Sequence, residues 1–141
     1  MAETMALSQQ DSRRAAEAIS LSEVISALEY ALELTEGSVR GHAPRSCLVG
    51  MRIGREIGLG AAEMDALYYA LLLKDVAGNL SAEDQVQASL RCIRGASIMR
   101  KLGMSELAAE AVRCAEERWD GGGIPYRLRG EEIPRLAPVC A

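Results

Sequence analysis

At 141 residues, with 49% hydrophobic and 26% charged side chains, the chain has the size and balance of one globular domain with a real core. Its net charge of −4 excludes a general nucleic-acid binder, which needs a basic excess. The longest apolar run, Ala70-Leu71-Leu72-Leu73, is far too short to cross a bilayer, and residues 1–14 lack the apolar core of a signal peptide, so a cytoplasmic protein with no membrane partner is expected.

Residues 1–19 are weakly patterned and read as a tail or lead-in helix, ahead of a helical domain over 20–141. Ser20 and Glu23 have capping-box spacing, and Leu21, Val24, Ile25, Leu28 and Leu32 then recur at helical intervals, predicting a helix that ends near Gly37. A second helix starts around His42, tolerates Pro44 in its first turn and turns Leu48, Met51 and Ile57 inward, with Gly58 or Gly60 as its C-terminal cap. The third runs from about Ala61 to Lys74 and buries Met64, Leu67, Tyr68, Leu71 and Leu72. After a turn at Gly78-Asn79, Ser81 and Asp84 cap a fourth helix, interrupted near Gly95 and ending at Gly103. Ser105 caps a fifth that carries Leu107, Ala111, Val112 and Cys114 inward. A glycine-rich loop follows, and another helix starts at Ile133-Pro134. No segment alternates with period two, so the expected class is all-α, a bundle of about five to seven helices. The last helix is cut short at Ala141 without a capping signal, which reads as an N-terminal domain or a fragment, incomplete at its C-terminal end.

The cysteines at 47, 92, 114 and 140 form no CxxC pair and no zinc spacing, so reduced, buried thiols are expected. Among the cations only Lys74 and Lys101 are lysines; the rest are arginines, suited to planar pairing with carboxylate or phosphate.

The most informative stretch is Glu117-Arg118-Trp119-Asp120-Gly121-Gly122-Gly123-Ile124-Pro125, running on to Gly130-Glu131-Glu132-Ile133-Pro134. It resembles the signature loop of HD-GYP domains, bacterial metal-dependent phosphodiesterases that cleave cyclic di-GMP. Further segments match that family in order: Arg40-Gly41-His42-Ala43-Pro44-Arg45, Leu72-Leu73-Lys74-Asp75-Val76-Ala77-Gly78 and Arg91-Cys92-Ile93-Arg94-Gly95. The resemblance spans about residues 23–141 and implies an HD-superfamily helical fold. It also shows departures. Lys74 and Arg91 stand where the family has histidines, Ala115-Glu116 replace a double histidine, and Ile124 replaces the name-giving tyrosine. The connection ahead of Arg91 is shorter than the family's, and the last metal-binding Asp would lie beyond Ala141.

Remnant ligand positions are Glu33, His42 and Asp75. A phosphodiesterase of this type needs clustered divalent ions to polarise phosphoryl oxygens and generate hydroxide. An ammonium or guanidinium group repels such ions and offers no lone pair, so no catalytic residues, no metal and no cofactor are expected. Internal pairs of Lys74 or Arg91 with Asp75 or Glu116 would replace the metal. The first reading is therefore a catalytically inactive regulatory or protein-interaction domain in bacterial signalling. Its partner would be another signalling protein, an attached output domain or a second copy, met through Trp119, Asp120, Gly121, Gly123, Ile124 and Pro125. A second reading is a non-hydrolytic cyclic dinucleotide or phosphate sensor using Lys74, Arg91 and Arg94. A third is an active phosphodiesterase with a rearranged site of His42, Asp75, Glu33 and Glu116 around Fe, Mn or Mg.

Overall fold

The computed structural model describes residues 20–36, 41–76 and 85–141. Six α-helices occur among them: α1 (Leu21–Glu36), α2 (His42–Glu56), α3 (Ala61–Leu73), α4 (Gln85–Lys101), α5 (Glu106–Arg113) and α6 (Ala137–Cys140), with a 3-10 turn at Gly130–Glu132. The all-α class is as expected. The tail over 1–19, the turn at Gly78-Asn79 and the Ser81/Asp84 cap lie outside the described residues.

The caps explain several boundaries. The Ser20 amide donates to Glu23 Oε2 at 2.7 Å and the Glu23 amide to Ser20 Oγ at 3.2 Å, closing the box that starts α1. Ser105 Oγ accepts from the Ala108 amide at 3.3 Å to start α5. Gly58, at φ +71°, ends α2 in a left-handed cap, where the Leu59 amide reaches back to the Gly54 carbonyl at 3.0 Å.

Helix α3 is the central element, with Ala66, Leu67, Ala70, Leu71, Leu72 and Leu73 all buried. Helices α2 and α5 pack against it, α4 packs on α5, and α6 closes over α5 and α2. Small residues make these contacts. The buried face of α2 consists of Ala43, Cys47, Gly50 and Gly54, and a Cβ on Gly50 would stand 2.4 Å from Leu71 Cδ1. The buried face of α5 is Ala108, Ala109, Ala111 and Val112.

This packing corrects three inward assignments. Leu48 is 76% exposed, and Ile57 and Leu107 are exposed as well, because the close helix approach gives the inner faces to glycine and alanine. Gly95 does not interrupt α4. It is buried within the helix beside Cys92, Ala96 and Met99, where a side chain is absent for packing rather than for a break. No helix starts at Ile133-Pro134 either; Ile133 is buried at the end of the 3-10 turn and α6 begins at Ala137.

Candidate functional site

The end of α3, the start of α2, the middle of α4 and the turn after α5 converge. His42 opens α2, and its Nε2 stands 3.5 Å from Asp75 Oδ2. Lys74, at the C-cap of α3, places Nζ 4.0 Å from that same Asp75 oxygen. From α4, Arg91 Nη2 donates to Glu116 Oε1 at 3.1 Å. The cationic side chains are the covered ones, Lys74 at 19% exposure and Arg91 at 16%. Lys74, Asp75, Arg91 and Glu116 line one cavity of about 50 Å³, walled by Cys92 and Cys140. That is room for about two to four waters, whereas drug-sized ligands occupy about 300 Å³ or more.

Four sequence-derived residues thus meet, with His42 at the rim. Arg94 does not join them: it is exposed on α4 and lies outside the lining. The side chain of Glu33 lies outside the described residues. Among the described residues no group of three or more His, Cys, Asp or Glu side chains is arranged to hold a metal ion. Around Asp75 the only other donor within ion-pair reach among the described residues is the His42 imidazole, with an ammonium group on the same carboxylate oxygen, and the second carboxylate of the convergence, Glu116, is held by Arg91. These residues do not fit a metal centre of the kind the family resemblance implies.

The signature loop is organised by its own first residue, Glu117, whose role the sequence does not disclose. Glu117 is buried, and its carboxylate accepts from the Tyr126 amide at 2.6 Å and the Leu128 amide at 2.9 Å. The Ile124 amide donates to the Glu116 carbonyl at 3.1 Å, and the Gly130 amide to the Trp119 carbonyl at 3.1 Å. Asp120 accepts from the Gly122 amide at 2.8 Å, and Arg118 beside it holds its carboxyl below the usual range. The Ile124–Pro125 peptide is cis, and the Arg113 guanidinium lies 4.5 Å from the centre of the Tyr126 ring. Trp119 does not pack into the core; it is 72% exposed. Arg135 ties the end of the loop to the α2–α3 turn by donating to the Ile57 carbonyl at 2.8 Å. Glu117 and Glu116 are adjacent glutamates, and burial is what makes the first a loop clamp and leaves the second an ion-pair partner.

All four cysteines are buried free thiols, as expected. Burial pushes the Cys114 thiol up to about 11 and the Cys140 thiol up to about 12, and raises Cys92 as well. Native protein at neutral pH is therefore expected to react slowly with a thiol reagent until denaturant is added. Rapid native labelling of these cysteines would contradict the burial. The sign of the pH dependence follows. The unfolded chain ionises its thiols near the ordinary value of 9.0 while the folded chain still holds its protons. Stability is full below about pH 9 and declines as the pH rises towards 11.

No family model matches the chain. It is similar to two curated proteins of Vibrio cholerae. The 3'3'-cGAMP-specific phosphodiesterase 3 is 27% identical over 180 residues, covering 85% of this chain and 39% of the relative. The 3'3'-cGAMP-specific phosphodiesterase 2 is 28% identical over 133 residues, covering 84% of this chain and 26% of the relative. The first alignment is longer than the 141-residue chain, so that relative carries residues with no counterpart here. The crystal structure of the cyclic GMP-AMP specific phosphodiesterase V-cGAP3 of V. cholerae superposes with a TM-score of 0.74 at 29% identity, over 85% of this chain and 38% of that one. The chain spans well under half the length of the curated relatives it matches. With that helical superposition and with cyclic-dinucleotide phosphodiesterases as its relatives, the chain carries an HD-GYP-like domain.

Proposed function

We propose that this HD-GYP-like domain does not hydrolyse cyclic dinucleotides and serves as a regulatory, protein-interaction domain in bacterial signalling. The observation that carries the reading is the Lys74 ammonium group, 4.0 Å from the Asp75 carboxylate that would have to bridge metal ions. A divalent ion on that carboxylate would meet a like charge at close range in a covered site, where such repulsion is screened less than in water. Arg91 adds a second cation, and its partner Glu116 is thereby withdrawn from any ligand set. The rearranged-site alternative needs Glu116 free, and the sensor alternative needs room and unneutralised charge. The Arg91–Glu116 pair disfavours the first, and that pair together with the position of Arg94 outside the cavity disfavours the second, although Lys74 also lines a larger cavity of about 360 Å³ with Arg45. The partner reading is supported by Trp119, an exposed indole on a hydrogen-bonded loop, the residue type that most often anchors an interface.

The test uses 3'3'-cGAMP, which the relatives' names carry, and cyclic di-GMP. Protein expressed with added manganese and iron is expected to retain well under one metal per chain and to turn over neither nucleotide. Near-stoichiometric metal together with cleavage of either one overturns the reading. Lys74→His combined with Arg91→His removes two positive charges and supplies two imidazoles, so this variant is expected to retain more manganese than the parent. Equal retention would show that these cations do not decide metal occupancy.

A further inference from the structure

Helix α4 reaches the signature loop at two places. Arg91, in the middle of the helix, donates to Glu116 Oε1 at 3.1 Å, on the near limb and one residue before the buried Glu117. The far limb is reached through α5. At the end of α4, Arg100 Nη2 donates to Glu110 Oε1 at 2.8 Å, and the other oxygen of that carboxylate accepts from Arg113. The Arg113 guanidinium lies 4.5 Å from the centre of the Tyr126 ring, and the Tyr126 amide donates to Glu117 Oε1 at 2.6 Å. Both routes therefore end on the same short stretch of loop, one on either side of the Glu117 clamp.

Glu110 is the hub of the second route. Its carboxylate stands between guanidinium groups of two helices, and it and Arg113 are only 26% and 28% exposed, so their attraction is screened less than that of a surface pair. Arg113 Nε is buried without a hydrogen-bond partner among the described residues, which leaves the head group located by Glu110 at one end and by the Tyr126 ring at its face. Arg91 and Arg100 are nine residues apart, roughly 13 Å along the helix axis. One attachment lets a loop pivot; two that far apart fix its orientation as well. We propose that α4 is the positioning element of the signature loop, holding it through Arg91–Glu116 at one limb and through Arg100–Glu110–Arg113–Tyr126 at the other. The direction in which the exposed Trp119 is presented then follows α4. This coupling goes beyond the functional reading and stands whether or not the indole meets a partner.

Trp119 is the only tryptophan, so its fluorescence anisotropy reports on the loop, while exchange of the Tyr126 and Leu128 amides reports on the far limb. Glu110→Gln keeps the side-chain shape and removes the charge. It is expected to speed exchange of both amides about fivefold, the effect of losing one ion pair, and to lower the anisotropy while exchange in α3 stays parental. Arg91→Gln is expected to lower the anisotropy too, and the two substitutions together to lower it by more than their sum. In a Tyr126→Leu background, Glu110→Gln is expected to leave the Leu128 amide unchanged, because the ring through which Glu110 acts is gone. Parental exchange in Glu110→Gln overturns the proposal. So does an acceleration that persists undiminished with Tyr126→Leu, since the charge then acts by loosening α5 itself. An Arg91→Gln variant with parental anisotropy, alone and in combination, overturns the two-point attachment.

Discussion

Gly123→Ala is expected to cost about 3 kcal/mol or more, at or beyond the upper end of ordinary overpacking. A Cβ at this position would stand 2.3 Å from the Arg118 amide nitrogen, 2.4 Å from Glu117 Cα and 2.6 Å from the Glu116 carbonyl oxygen. All three are backbone atoms, so no side-chain rotation relieves the clash. The loop segment leading to Ile124 would have to lift away, breaking the hydrogen bond that the Ile124 amide donates to the Glu116 carbonyl. Gly122→Ala is the matched control. There the nearest atom is Asp120 Oδ1 at 3.0 Å, the end of an exposed side chain that is able to move. Urea denaturation of both variants decides it, and equal stabilities would refute the close approach.

Glu117→Ala is expected to cost roughly 2 kcal/mol, because two part-buried amides lose an acceptor that nothing replaces. The effect should be local. Exchange of the Tyr126 and Leu128 amides should accelerate more than exchange in α3, where no bond to Glu117 exists. Glu117→Gln keeps one carbonyl acceptor and should fall between parent and alanine variant. If hydrogen exchange at 126 and 128 is unchanged by Glu117→Ala, the carboxylate does not hold the loop. The arrangement Gly123 and Glu117 maintain also presents Trp119, so both substitutions are expected to weaken partner capture at that indole.

Several features were legible from the residues because they are local. Ser20 with Glu23, Ser105 and Gly58 mark helix ends through hydrogen bonds spanning only a few positions, and each does so in the folded chain. The loop from Glu117 to Pro125 and the substitutions at 74, 91 and 115–116 are likewise visible as plain sequence, and they point to the HD-GYP-like domain that the V. cholerae relatives support.

What the chain by itself determined was therefore the all-α class, the helix ends marked by Ser20, Gly58 and Ser105, and the identity of the side chains at the convergence. Tertiary structure alone decided which faces turn inward. A pattern reading sends large apolar residues to the core, but α2 and α5 approach their neighbours so closely that Gly50, Gly54, Ala108 and Ala111 take the inside and Leu48 and Leu107 are left outside. It also decided the charge pairing: Lys74 meets Asp75 within one turn, whereas Arg91 and Glu116 are 25 residues apart and meet only because α4 lies on α5. The same long-range packing separates Glu117, sealed under the loop, from Glu116 beside it. Interhelical distance and burial are properties of the packed chain as a whole, and no local run of residues encodes them.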